Sequence, residues 1–264
     1  MRVNPWSMAI PAAAGIAAGV AGVAAWGAVS CTAQLFGPAL CRTLNPTQIA
    51  LTFDDGPNPA ITPQLLALLE RHHVCATFFL VGRFVRACPE LAREIDARGH
   101  VIGNHTETHP NLALASTLRV EDELVRCQES IADALAGASN ADTTPRWMRP
   151  PFGYRFPHVW RAARRAGMRG VVTWSLTAYD WKPQPPERLI ARLARISERG
   201  RAAGSLPHTS SGEVVLLHDG DYRGLGADRT HVLAALEHWL PRWQDSGFEF
   251  VTIDEVAGAP VSAA

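Results

Sequence analysis

Neither sign of charge is in surplus: Lys+Arg 25 matches Asp+Glu 25, and the formal net charge is zero. A nucleic-acid binder spreads a basic excess over its surface, so nucleic acid is not an expected partner. Cysteine is scarce, and Cys31, Cys41, Cys75, Cys88 and Cys127 contain no CxxC pair. That spacing supports neither a zinc knuckle nor a thioredoxin-like motif, and an odd count does not close into a full disulfide framework. There is no fixed-period repeat and no low-complexity tail, which excludes a solenoid. Charge is missing altogether between Met8 and Ser30, a stretch preceded only by Arg2. This Ala/Gly-rich run, interrupted by Pro11, is expected to be membrane-directed, and its weak hydrophobicity suits a cleaved signal peptide or an uncleaved anchor. Ala28-Val29-Ser30 offers small residues for cleavage, and Cys31 is placed like a lipid-attachment cysteine. A buried Ala-rich helix is disfavoured, because core helices rarely run this long without a polar face. On this reading residues 1–42 direct the chain to the membrane, and residues 43–264 fold as an exported domain at its extracytoplasmic face.

What is present is ample apolar material, 47% of 264 residues, enough for the core of one large α/β domain. From Ile49 onward short apolar runs alternate with amphipathic stretches. The runs predict seven strands, at Ile49–Phe53, Ala76–Leu80, Val101–Asn104, Trp147–Arg149, Val171–Ser175, Val214–Leu217 and Glu249–Thr252. Helices fit between them. One opens at Thr62-Pro63, an N-cap followed by proline, and turns Leu65, Leu66, Leu68 and Leu69 inward. The longest covers Thr117–Ala136 and the last Ala227–Trp243, while Gly137–Thr144 and Gly200–Gly212 read as loop insertions. Cys75 reads as a small core residue. Such alternation predicts a parallel α/β barrel or a doubly wound sheet. The polar motifs favour the barrel, because they follow the ends of strands one, three, four and six and would meet on the C-terminal rim.

Two adjacent carboxylates, Asp54 and Asp55, end the first strand. Neighbouring side chains on a regular strand face opposite ways, so both serve one site only if the chain bends, and Gly56-Pro57 is a competent turn. An Asp-rich surface turn has the same composition. His105-Thr106-Glu107-Thr108-His109 sets two imidazoles four apart, which a helical turn would place on one side, although such a pair also arises by accident on a polar helix. Combined with Asp55 they make three protein ligands with an open position, the pattern of a catalytic metal site. One divalent ion is expected. Zinc suits these donors, and cobalt, nickel or iron would also be accepted.

Thr52-Phe53-Asp54-Asp55-Gly56-Pro57, His105-Thr-x-x-His109, Arg149-Pro-Pro-Phe-Gly153, Asp180-Trp181 and Leu216-Leu-His-Asp219 together resemble the polysaccharide deacetylase family, carbohydrate esterase family four or the NodB-homology group. The resemblance covers roughly Ile49 to Glu255. It implies a distorted parallel (β/α) barrel and a hydrolase that removes N-acetyl groups from amino sugars of a glycan. It also implies that Asp54 is the general base and that Asp55, His105 and His109 hold the metal. Arg149 would orient Asp54, His218 would protonate the departing amine, and a backbone N–H among Phe152, Gly153 and Tyr154 would stabilise the oxyanion. Tyr154, Trp174 and Trp181 are candidates to stack on sugar faces, though large rings also serve as core. Leu216 resembles the acetyl-pocket residue, and equally takes the inward position of a strand.

Many family members carry an aspartate three residues before Asp180, where this chain has Thr177. The support of His218 then falls to Asp180 or Asp219, and Asp180 is favoured because the side chain following His218 on a strand points away from it. Two further readings share the motifs: an amidohydrolase of a lipid-linked sugar or small amide, and a sugar-binding member without turnover. The remaining histidines, His72, His73, His100, His158, His208, His231 and His238, join no constellation.

Overall fold

The structure is a computed structural model that describes residues 19–137, 144–203 and 211–258. Most of both expected loop insertions, together with His208 and residues 8–18 of the uncharged segment, lies outside the described residues.

Nine strands are present among the described residues: β1 (Ala39–Leu40), β2 (Gln48–Gly56), β3 (Thr77–Leu80), β4 (Val101–Asn104), β5 (Trp147–Met148), β6 (Gly170–Val172), β7 (Leu176–Thr177), β8 (Glu213–His218) and β9 (Glu249–Phe250). A helix over residues 19–29 (α1) precedes them. The others are α2 (Thr62–Arg71), α3 (Gly82–Ala87), α4 (Pro89–Ala97), α5 (Thr117–Leu135), α6 (Pro157–Arg165), α7 (Pro186–Ala203), α8 (Thr230–Asp245) and α9 (Ile253–Val256). All strand pairings are parallel, in the order β1-β6-β5-β4-β3-β2-β8-β7, with β9 also on β2. β6 lies beside one end of this order and β7 is the other end, yet three residues join them. Three residues bridge at most about 14 Å. The sheet therefore curls until its two ends approach, which makes it a distorted barrel.

The pleat sorts side chains between the two surfaces of that barrel. On β2, Ile49, Leu51 and Phe53 join the outer core beneath the helices with Leu65, Leu66, Leu68 and Leu69 of α2. Ala50 faces inward with Phe79, Trp147, Val172 and Val214, and Ile253 and Val256 of α9 belong to the same inner cluster. Thr52 and then Asp54 continue the inward row toward the rim. β2 and β8 are buried almost throughout, as a parallel strand covered on both faces must be.

Several sequence expectations need correction. The seven strands are present, and β1 and β7 are additional; each is two residues long, too short to leave a periodic signal. Residues before the boundary expected at 42 and 43 also contact the barrel. β1 pairs Ala39 with Val171, the Arg155 N–H donates to the Ala28 carbonyl (2.9 Å), and the Thr173 hydroxyl donates to the Cys31 carbonyl (2.6 Å). Thr62 does not cap α2. Its hydroxyl accepts from Asn58 N–H and donates to Asp219, leaving Ile61 at the N-cap. Cys75 is exposed rather than core, because it precedes β3 in the turn and the buried row begins at Ala76.

Candidate active site

The bend required after Asp54 is a break in register. β2 and β3 pair regularly through Asp54, then skip to Gly56, and Asp55 takes a left-handed φ of 69°. This bulge aims both carboxylates at the rim. Glycine permits the crossing that holds it: a Cβ on Gly220 would sit 1.9 Å from the Asp55 carbonyl oxygen, and one on Gly56 would sit 2.5 Å from the Asp219 carboxylate.

His105 and His109 do not share a helical turn. Thr106 and His109 have φ of 69° and 58°, and the segment is a folded loop after β4. Side chains replace the helix ladder: Asn104 accepts from Thr106 N–H, the Thr106 hydroxyl from His109 N–H, and the buried Glu123 carboxylate from both Thr108 N–H and its hydroxyl. His105 donates from Nδ1 to the Arg149 carbonyl (2.7 Å), which turns its Nε2 lone pair toward Asp55. The His105 and His109 Nε2 atoms lie 3.5 and 3.2 Å from Asp55 Oδ1.

One ligand atom from each of Asp55, His105 and His109 falls within 4.8 Å of the others, and all three residues are buried. Asp55 Oδ1 is buried with no hydrogen bond. An orphaned carboxylate oxygen facing two imidazole nitrogens fits a divalent cation, so the residues present suit the expected ion. Their protonation agrees. Burial, reinforced by neighbouring His105, pushes His109 down to about 3, which leaves it neutral. Burial works against the Asp55 anion, but the surrounding imidazoles outweigh it and hold that carboxyl well below the usual range.

Asp54 Oδ1 accepts from Arg149 (2.8 Å), whose guanidinium also donates to the Thr52 hydroxyl (2.7 Å) and the Thr173 carbonyl (3.0 Å). Arg149 is fully buried and lies 4.2 Å over the Phe79 ring, so it forms the polar floor above the apolar barrel interior. Asp180 lies behind His218, accepting from its Nδ1 at 3.0 Å and its backbone N–H at 2.6 Å. Burial alone would lower the His218 pKa; Asp180, followed by Asp55 and Asp54, raises it to about 9. Asp219 turns instead to Thr62 (2.5 Å), and burial lifts it to about 7. Thr177 accepts from Tyr179 N–H and takes no part in holding His218.

These groups open into a cavity of about 580 Å³. Asp54, Asp55, His105, His109 and His218 line it with Phe152, Gly153, Tyr154, Trp174, Trp181 and Leu216, while Arg149 and Asp180 stand behind the wall. Two of the three N–H groups at residues 152–154 are already engaged, Gly153 to Pro150 (2.9 Å) and Tyr154, at a long 3.4 Å, to Pro151. Sequence reasoning missed part of the wall: Lys182 and Pro183, and Asp221, Tyr222, Arg223 and Arg229. Tyr222 stacks on His109 with centroids 4.3 Å apart. The signal was available for all but Arg229, since Lys182 and Pro183 directly follow Trp181, and Asp221, Tyr222 and Arg223 lie just past the end of β8, where a barrel places its chemistry.

Comparison with known proteins converges on this arrangement. The polysaccharide deacetylase family model matches residues 42–171. A chitooligosaccharide deacetylase of Bradyrhizobium sp. (strain ANU 289) is 35% identical over 76% of this chain and 86% of its own length. A peptidoglycan-N-acetylglucosamine deacetylase of Bacillus cereus is 34% identical over 79% and 87%. The structure of peptidoglycan deacetylase PdaC from Bacillus subtilis superposes with a TM-score of 0.63 at 27% identity, covering 83% of this chain and 91% of that one. With the strand-end carboxylates, the histidine loop and the β8 histidine meeting at one barrel mouth, the chain belongs to the polysaccharide deacetylase family.

Proposed function

We propose that the chain hydrolyses N-acetyl groups from amino sugars of a glycan, releasing acetate and a free amine. The observation that carries this reading is the pairing, across one cavity, of an Arg149-held carboxylate with an Asp180-held imidazolium, beside a three-ligand cluster with an orphaned oxygen. Asp55, His105 and His109 would hold one divalent cation, zinc by donor type with cobalt also accommodated, which when bound polarises the acetyl carbonyl and acidifies water.

The division of labour follows from position. Asp55 is committed to the cluster, so Asp54 takes the proton from the attacking water as the new O–C bond forms. Arg149, itself donating to the Thr52 hydroxyl, fixes its carboxylate toward the cluster, 3.7 Å from His105 Nε2. A backbone N–H among Phe152, Gly153 and Tyr154 supplies a donor for the carbonyl oxygen, with the Tyr154 N–H held only by a long bond and the Phe152 N–H bonded to no backbone carbonyl among the described residues. The amine leaves poorly as an anion. His218, held protonated by Asp180, gives its proton to that nitrogen as the C–N bond breaks. Leu216 on the cavity wall offers an apolar contact for the acetyl methyl, and Trp174, Trp181 and Tyr154 offer sugar-stacking faces.

We also place the enzyme at the outer face of the cell membrane. The uncharged Met8–Ser30 stretch supports this, as do Val20, Val23, Trp26 and Val29, exposed on α1. No helix among the described residues is long and apolar enough to cross a membrane. Acetate release from N-acetylglucosamine oligomers tests the reaction. It should cease on chelation and return with zinc or cobalt, and undiminished release from a chelated His105→Ala, His109→Ala double variant would refute the metal assignment.

A further inference from the structure

Lys182 is the only lysine in 264 residues; every other one of the 25 basic side chains is arginine. It lines the active-site cavity, immediately after Trp181, whose ring meets His218 edge-on at 5.7 Å. The side chain is exposed, and among the described residues it makes no hydrogen bond or ion pair. A second part of the same wall is also cationic. Arg223 clasps Asp221 from the exposed side (2.6 Å), and the buried Arg229 reaches the same carboxylate oxygen (3.3 Å). Two guanidiniums share one carboxylate, so this wall keeps a positive charge in a molecule that has none overall. Charge concentrated at the mouth of a cleft attracts and orients the opposite charge.

We propose that the cavity mouth recognises an anionic group, a carboxylate or a phosphate, on the sugar beside the one being deacetylated, and that Lys182 is its principal contact. This deepens the deacetylase reading and rests on it. A neutral glycan would leave Lys182 and the surplus guanidinium without a counter-charge. A flexible, hydrated ammonium suits an anion whose position varies along a chain, whereas arginine's planar fork demands one geometry. The neighbouring Trp181 ring, set against His218, gives the scissile sugar a face to lie on, and the next residue then falls beside the adjoining unit.

The test compares acetate release from three oligomers of equal length: neutral N-acetylglucosamine units, the same with a carboxylate on the adjoining sugar, and the same ending in a sugar phosphate. The ratio of kcat/KM, anionic over neutral, should exceed one in the wild type. It should fall roughly tenfold in Lys182→Gln, fall further in Lys182→Glu and largely survive in Lys182→Arg, with the change in KM and shrinking as salt rises. A fall for the carboxylate probe alone, or for the phosphate probe alone, identifies the group read. Ratios within about twofold of wild type in both Lys182→Gln and Lys182→Glu, for both probes, overturn the proposal. If wild type releases no acetate from any of the three oligomers, it is the deacetylase reading that fails. Calorimetric affinities of the same probes for wild type and Lys182→Glu then decide the recognition by the same ratio.

Discussion

At the scale of single residues, the site works by giving chemically similar side chains different neighbours. Asp54 and Asp55 are adjacent, yet one faces a guanidinium and the other two imidazoles. His109 and His218 are both buried, yet one is driven to about 3 and the other raised to about 9, because only His218 has a carboxylate bonded to its ring. A proton donor whose pKa is raised stays charged until the pH passes that value. Removing Asp180 removes the largest raising influence, so Asp180→Asn is expected to move the alkaline limb of the rate profile to lower pH. Asp219→Asn should leave that limb in place, since Asp219 serves Thr62. Rate against pH for both variants on one acetylated substrate checks this, and an unshifted limb in Asp180→Asn would remove Asp180 from its role. The sequence made Asp180 the better choice by strand alternation alone. It could not show Tyr222 stacked on His109, because that contact joins loops after β4 and β8 that no local pattern connects.

At the scale of elements, the segment most misread was the histidine loop. Spacing of four is a helical signature, but here Thr106 and His109 are left-handed, and the loop is held by groups distant in sequence. Glu107, fully buried between the two histidines, pairs with Arg86 and accepts from Ser130, while Glu123 of α5 accepts twice from Thr108. These carboxylates act on His105 and His109 only through the backbone. Glu123→Ala is therefore expected to weaken metal binding by about tenfold to a hundredfold, as loss of an outer contact typically does. Competition with a chromogenic chelator measures it, and wild-type affinity would mean that the loop keeps its shape without this clamp. Elements with long apolar runs were legible: β2, β8 and α2 appear where their runs predict. The two-residue β1 and β7 were not, since their place is set by pairing with β6 and β8 rather than by their own composition.

At the scale of the whole molecule, barrel closure explains the success of the fold expectation and brings residues before Thr43 against the barrel. Strand-and-helix alternation sufficed to predict a parallel barrel, but not where its sheet begins. β1 covers β6 on the open side of the curl, and the residues before it bond to Arg155 and Thr173, which adjoin the cavity residues Tyr154 and Trp174. A chain beginning at Thr43 loses all of these contacts. It is expected to unfold at lower urea than one beginning at Gly27, and to lose activity with it. Equal midpoints for the two would show that the residues before Thr43 are dispensable to the barrel.

The central claim is that Asp54 moves the proton while Asp55 holds the ion. It is tested most directly by measuring bound metal and acetate release on the same sample of Asp54→Asn, whose amide keeps the size of the side chain but cannot accept the proton. The account predicts one ion per chain, as in the wild type, with turnover per bound ion lowered by about a hundredfold or more. Turnover per bound ion equal to the wild type, or loss of the ion with full turnover in what remains loaded, would contradict it.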